Sequence, residues 1–498
     1  MKPNLLFKPK AGLPTFSMQW AALLLAGCLA VSSSSMAADT WSLPESSLSQ
    51  TWQGVTWSKN GVDSPGQYPG TPGGSSSDLI VTSSNGVGTT GLLYMNGSHT
   101  LAGFEKRGTG TFSVRSYVST STTTPQEDLL TISGLLKVSD GTLNLRSRKT
   151  NQTLKVSAAA VEISGAGTLV LGDSDAPITG AAFDMTTIEE GGTLRIVRAN
   201  NVNLGALTQG GTLNLSDYNS ATPFSSTITA TSLEGQGTIT SGGNNLTLTL
   251  ALIGSNASAV TFAGVIEDTS NASTATIGVQ KSGTGVQIFS GGNTYSGGTV
   301  ISGGVLAVTN TTGSGLGDGA VRVKDGGTLA GSGVVEINDS IRAEHGAVVA
   351  PGAGLGQTAV TLRLSGAKNG AAPILIMEEG AEFHFNLAFG DVSDRIEFLS
   401  YSEGDLVLDT LNGTAVNVTG VELGTYRLFS FNSLSSEEGE ALAEHLRLGN
   451  GFSGFEESHF FYMDNAVHLA AVPEPSTLAL LGAGLTGLAW LRRRRQID

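Results

Sequence analysis

Gly141-Thr142-Leu143-Asn144-Leu145, Gly167-Thr168-Leu169-Val170-Leu171 and Gly211-Thr212-Leu213-Asn214-Leu215 are one phrase written three times. A glycine turns a corner, a threonine follows, and aliphatic residues then alternate with other side chains. Alternation of period two is the signature of a half-buried strand. Glycine pairs such as Gly191-Gly192 and Gly210-Gly211 supply the backbone freedom that a tight turn needs. The phrase also appears at Gly110-Thr111-Phe112, Gly192-Thr193-Leu194-Arg195-Ile196, Gly237-Thr238-Ile239, Gly298-Thr299-Val300-Ile301 and Gly327-Thr328-Leu329. Successive glycines lie 31, 26, 25, 19, 26, 61 and 29 residues apart. Strands this short cannot bury a face alone, and recurrence every 20–30 residues indicates a solenoid. The expectation is an all-β, right-handed parallel β-helix. At about 25 residues per coil and ~4.8 Å per layer, residues 101–430 would give about 13 layers and a length of roughly 60 Å.

Composition agrees with this reading. The chain has 498 residues, 68 of them Gly, with one Cys and 14% charged residues. Glycine is about twice as frequent as usual and has no triplet period, which excludes collagen. One cysteine excludes an internal disulfide framework. The net charge is −15. Without residues 1–37 and 473–498, 20 basic and 40 acidic residues remain, a balance of −20. No basic stripe exists to replace phosphate counterions, so no nucleic acid is expected as a partner. The acidic balance favours solubility and is compatible with weak recruitment of divalent cations, Ca²⁺ included. No cofactor is otherwise expected.

Both ends read as addresses. Lys2, Lys8 and Lys10 precede an apolar run from Trp20 to Val31, and Ser35-Met36-Ala37 fits a small-x-small cleavage site with Ala38 as the new terminus. The run is too short to span a bilayer. Leu25-Ala26-Gly27-Cys28 also resembles a lipoprotein signal, in which Cys28 would be acylated and become the first residue. At the other end, Val472-Pro473-Glu474-Pro475-Ser476 leads into an apolar segment reaching Leu491, closed by Arg492-Arg493-Arg494-Arg495. Those 16 apolar residues would make a helix of about 24 Å, barely a membrane span. Trp490 would lie at the interface and the arginines would remain cytoplasmic. An ordinary tail anchor is one reading. The Pro-Glu-Pro entry, short span and arginine cluster together closely resemble the PEP-CTERM sorting signal. That resemblance implies export, a temporary membrane stop, and removal of the tail by exosortase, a membrane protease of bacteria that make exopolysaccharide.

Phe289-Ser290-Gly291-Gly292-Asn293-Thr294-Tyr295-Ser296-Gly297-Gly298-Thr299-Val300-Ile301 leads through Gly303-Gly304-Val305-Leu306 into Gly326-Gly327-Thr328-Leu329-Ala330-Gly331-Ser332-Gly333. This resembles the autotransporter-associated β-strand repeat of parallel β-helix passengers, clearly over 281–335 and diffusely over 101–360. Only about 140 residues separate Gly333 from Pro473, too few for a translocator barrel. Self-export is therefore not expected, and the general secretory translocon is the implied partner.

The organisation expected is a signal peptide at 1–37, an N-terminal β cap at 38–100 and the β-helix at 101–370. A C-terminal β region with one short helix would fill 371–471, and the sorting tail 472–498, with its transmembrane helix, would end the chain. Trp41, Trp52 and Trp57 fall in the first cap, where core packing or a sugar platform would explain them. Ser435-x-x-Glu438 has the form of a capping box, with Leu442 and Leu446 on one helical face and an end near Gly449.

Catalytic motifs are scarce. His99, His345, His384, His445, His459 and His468 form neither His-x-His nor His-Glu-x-x-His, and no Gly-x-Ser-x-Gly elbow occurs. Gly313-Ser314-Gly315-Leu316-Gly317 and Gly352-Ala353-Gly354-Leu355-Gly356-Gln357-Thr358 open no helix for phosphate and read as turns. The densest ionisable cluster is Glu378, Glu379, Asp391, Asp394, Arg395 and Glu397. Asp173 with Asp175 is a second, and could hold Ca²⁺. A solvated surface or a turn explains both. The expectation is a non-enzymatic protein of the cell surface or extracellular matrix, with extracellular polysaccharide as partner and adhesion or biofilm structure as its work. A β-helix polysaccharide lyase or hydrolase, which would need two positioned carboxylates, and a dedicated glycan-binding adhesin are the alternatives.

Overall fold

The computed structural model describes residues 40–473 apart from 43–49, 52–57, 60–61, 64–78, 84–89, 96, 117–125, 148–151, 174–177, 179, 200, 217–222, 244–245, 269–273, 357–358, 367–372, 389–391, 403, 410 and 456, with most side chains from residue 91 on. The chain is all-β, built of parallel ladders in the arrangement of a β-solenoid. Each coil contributes to up to three ladders, here called faces A, B and C. Face A stacks Leu246–Leu252, Thr276–Lys281, Thr299–Ile301, Val321–Val323, Ile341–Ala343 and Leu375–Met377 in parallel. Face B stacks Val286–Phe289, Gly304–Val308, Gly327–Gly331, Val348–Val349, Glu382–Ala388 and Thr414–Thr419. In earlier coils the long strands Gln126–Val138, Gln152–Ile163 and Gly180–Ile188 run through both faces. The last of them pairs with Val202–Asn203 at one end and Ala206–Gln209 at the other, and there one face divides into two.

Face C is where the repeated phrase begins. Thr111, Thr142, Thr168, Thr193, Thr212 and Thr238 stand in register from coil to coil. Behind them Leu143, Leu169, Leu194, Leu213 and Ile239 form a buried column, each with no exposed surface. Burying one such side chain is worth about 1.5–3 kcal/mol, so the column is a main source of cohesion between coils. The phrase does not keep to one face, however. Thr299 aligns with Val279 and Val321 on face A, and Thr328 with Val305 and Val348 on face B. The phrase encodes a corner followed by a strand. The 61-residue gap between Gly237 and Gly298 marks its move to another face.

Among the described residues, face C has no strand between Val265–Glu267 and Val334–Glu336, and two buried asparagines bridge the interruption. Asn293 accepts from the Ile266 amide at 2.8 Å and donates to the Gly315 carbonyl at 2.7 Å. Asn310 accepts from the Val334 amide at 3.1 Å and donates to the Gly313 carbonyl at 2.7 Å. Each amide replaces ladder partners that buried backbone groups require. Tyr295 fills the interior beside Asn293, its hydroxyl 2.6 Å from Thr299 Oγ1.

Corners hold a second kind of polar plug. Lys106 donates to the carbonyls of Arg107 and Gly108, both at 2.6 Å, and Lys281 to those of Ser282 and Gly283, both at 2.9 Å. Both lysines occupy inward positions that other coils fill with aliphatic residues: Lys281 pairs with Leu252 on one side and Ile301 on the other.

The C-terminal end departs from parallel stacking. Gly424–Phe431 and His459–Met463 both pair antiparallel with Ala466–Ala471. A helix, Ser436–Glu444, packs on this hairpin, and Gly439 lies so close to the Tyr462 ring that a Cβ would approach it to 2.2 Å. Ser435 Oγ accepts from the Glu438 amide at 3.2 Å. The Glu438 carboxylate does not turn back to complete the box; it accepts from Tyr401 Oη at 2.7 Å and the Gly404 amide at 3.1 Å. Leu442 is buried, but Leu446 lies beyond the helix, in a strand paired with Thr414. No helix among the described residues is long and apolar enough to cross a membrane. The segment from Ser476 to Leu491, expected to do so, lies outside them.

Candidate functional site

Alternation along face B prepares a polar surface. In Glu382–Ala388, Phe383, Phe385 and Leu387 point into the core, which turns Glu382, His384 and Asn386 outward. The next coil sets Asn417 beside His384 and Thr419 beside Asn386, and the preceding coil sets Val348 beside Glu382. The segment Pro351–Gly356 then folds back across the outside of face B, with Gly354 against Val286 and Val305. Between that segment and the next coils lies a cleft of about 380 Å³. Val348, Ala350 and Ala353 line its apolar side, and Thr328, His384, Asn386, Asn417, Thr419 and Asn450 supply polar groups.

Those polar groups are held before any ligand arrives. Asn417 Oδ1 accepts from the Asn450 amide at 2.5 Å, which orients its Nδ2 toward Glu382 Oε2 at 2.6 Å and His384 Nε2 at 2.8 Å. His384 Nε2 lies 3.0 Å from Glu382 Oε2. Thr419 donates to Asn386 Oδ1 at 2.6 Å. Asn386 is fixed in turn by Asp394, whose Oδ2 accepts from its amide at 3.0 Å and its Nδ2 at 2.7 Å. Asp394 Oδ1 accepts from the Val360 amide at 2.9 Å. The same carboxylate leaves no room at Gly352, where a Cβ would lie 2.3 Å from Oδ2. One buried carboxylate thus anchors both the cleft's floor and the segment that walls it.

The acidic cluster around residue 378 does not converge on a site. Glu378 pairs with Arg342 at 2.5 Å, Glu397 with Arg363 at 3.0 Å, and Glu379 accepts from Asn412 at 3.1 Å. Arg395 begins the strand Arg395–Ser400, paired with Thr361–Ser365, and Asp391 lies outside the described residues. Asp173 is ion-paired with Arg146, while Asp175 lies outside. Among the described residues, no three His, Cys, Asp or Glu side chains are grouped to hold a metal. Trp41 falls in a short strand, Thr40–Ser42; Trp52 and Trp57 are outside the described residues. So are Cys28, Ala37, Ala38, Glu474, Pro475, Trp490 and Arg492 to Arg495. Pro473 is described and buried, and the preceding Val472 amide donates to Ser458 Oγ at 3.0 Å.

Sequence reasoning did not find the cleft. Its residues come from five coils, and the Gly352–Thr358 run reads only as a turn. The available signal was alternation of another kind: Glu382, His384, Asn386 and then Asn417, Thr419 place hydrogen-bonding groups at every second residue of two successive coils.

Two short families match the chain. The Passenger-associated-transport-repeat matches residues 164–196 and 279–308. The PEP-CTERM protein-sorting motif matches residues 471–495. Both resemblances carried by the sequence are therefore met, the first also at 164–196, outside the segment 281–335 where the sequence shows it most clearly. The sorting motif implies exosortase-dependent export to the cell surface. No curated protein matches the chain.

Proposed function

We propose that this chain is a non-enzymatic structural protein of the bacterial cell surface or extracellular polysaccharide matrix, delivered by the secretory translocon and released from its membrane tail by an exosortase. Its solenoid, for which the usual right-handed path of parallel crossovers is expected, presents Ser-, Thr- and Asn-rich faces to surrounding polysaccharide, and so contributes to adhesion or biofilm cohesion. One observation carries this reading. The sorting motif begins inside the folded body: Ala471 pairs with Gly424, Val472 is hydrogen-bonded to Ser458, and Pro473 is buried. The address is fused to the end of a repetitive scaffold with no intervening module. The dispersal of the acidic residues into separate ion pairs supports a non-catalytic role, because glycoside hydrolysis needs two carboxylates facing one bond.

Intact mass of the natively secreted protein tests the processing. The expected species starts at Ala38 and lacks the apolar tail; a mass retaining residues up to Asp498 would overturn it. Fractionation should place the processed chain with the matrix. Incubation with acidic polysaccharides, with and without Ca²⁺, should yield no new reducing or unsaturated ends, and their appearance would establish the lyase or hydrolase alternative.

A further inference from the structure

We propose that the face B cleft is a binding site for an uncharged sugar ring, one unit of a neutral glycan chain. The inference deepens the matrix reading by giving it a recognition site, and rests on it for the supply of polysaccharide.

Three features of the cleft point the same way. Its polar groups are mainly amides and hydroxyls, from Asn386, Asn417, Asn450, Thr328 and Thr419, with the His384 imidazole among them. Beyond their internal bonds, the Asn386 and Asn417 amide oxygens each keep a second lone pair and Asn386 Nδ2 a second hydrogen, which match the vicinal hydroxyls of a pyranose, where each oxygen both gives and takes a hydrogen bond. Beside them, Val348, Ala350 and Ala353 form an apolar patch suited to the C–H face of such a ring. A concave apolar surface with a few convergent polar groups, of several hundred Å³, is the usual form of a small-molecule site.

The charges decide which sugar. The lining includes no lysine or arginine, and the Glu382 carboxylate sits behind His384 and Asn417. A uronate, sulfate or phosphate entering the cleft would lose water without meeting a fixed cation and would approach an existing negative charge, which is unfavourable. An uncharged ring meets neither cost. The Asp394–Asn386–Thr419 and Glu382–Asn417–Asn450 bonds hold the recognition groups in place beforehand, so little ordering remains to be done on binding. Asp394 is fully buried and its oxygens are committed to Val360 and Asn386. The second carboxylate of a hydrolase is thereby absent from the cleft, and the arrangement binds without cleaving.

The test uses the natively processed protein and two sets of oligosaccharides: uncharged gluco-, manno-, galacto- and xylo-oligosaccharides, and acidic oligomers of alginate and polygalacturonate. Binding is read on an array and by calorimetric titration. At least one uncharged series should bind, with the acidic oligomers at least tenfold weaker. Ala353→Trp, which fills the cleft without removing a hydrogen bond, should abolish that binding. Asn450→Ala, a truncation of an exposed side chain, should weaken it severalfold, with the melting temperature unchanged. Arg363→Ala, outside the cleft, should bind like the parent. Absence of binding by every uncharged series at millimolar concentration, equal binding of acidic oligomers, or binding that survives Ala353→Trp would each overturn the assignment. These outcomes are separable from the matrix reading. A protein that fractionates with the matrix yet binds no neutral oligosaccharide defeats the cleft alone, whereas retention of the tail defeats the processing alone.

Discussion

The Lys281 ammonium reaches across to the carbonyl oxygen of Gly303, 3.1 Å away in the following coil. With its bonds to Ser282 and Gly283 it closes a corner from inside, and its side chain is almost wholly buried. Burial pushes its pKa from 10.5 down to about 8. The folded state therefore binds this proton less tightly than the unfolded chain does. Linkage then requires stability to rise with pH between about 8 and 10.5, and to be insensitive to this group below 8, where it is protonated in both states. Urea unfolding at pH 7.5, 9 and 10 should show that rise, and Lys281→Met should reduce it. An unchanged slope in the variant would mean that the rise comes from other groups. Lys106 is shifted in the same direction, by burial and against the pull of Asp140, so a residual slope is expected from it.

Two corner glycines should differ in what they tolerate. Gly304 has φ +61°, and an added Cβ would lie 2.5 Å from the carbonyl oxygens of both Gly283 and Gly285. Gly326 has φ +75° with open space around it. Gly326→Ala should cost about 1–2 kcal/mol, the strain of a left-handed alanine. Gly304→Ala must also displace the adjacent coil and should cost at least twice as much by denaturant unfolding. Equal costs would mean that the close approach of coils is not limiting.

The face C column should respond as a packed core does. Leu213 stacks between Leu194 and Ile239 with no exposed surface. Leu213→Ala should destabilise the chain by about 2–5 kcal/mol, and Leu213→Met by less than about 1.5 kcal/mol, because the volume is retained. Thermal unfolding followed by far-ultraviolet dichroism distinguishes the two.

Asp394 should control the segment that walls the cleft. Asp394→Ala leaves the Val360 and Asn386 donors unmatched, at a cost of about 1–3 kcal/mol for each buried group. Hydrogen exchange should accelerate in residues 351–360 more than in the face C ladder. Uniform acceleration throughout would show that this carboxylate stabilises the whole solenoid and has no local role.

The coil was legible because its information is local. A corner glycine, a threonine and alternating aliphatic residues define one strand and its buried side without reference to distant sequence, and Leu143 and Leu213 stand where that alternation puts them. Which face a strand joins was not legible. Thr238 and Thr299 carry the same phrase, yet one pairs on face C and the other on face A. The substitution of Asn293 and Asn310 for missing strands was hidden for a similar reason, since an asparagine between glycines reads equally well as a surface turn. The cleft was least legible. His384, Asn417 and Asn450 lie about 33 residues apart and become neighbours only through the stacking period, while Asp394 looked like one member of an acidic surface cluster and is in fact enclosed.

The hairpin of His459–Met463 and Ala466–Ala471, backed by the helix Ser436–Glu444, closes one end of the stack with strands running against the prevailing direction. On the ladder that ends in Gly424–Phe431, a second molecule finds no parallel edge to extend. Edge-to-edge pairing of copies through that ladder is thereby disfavoured.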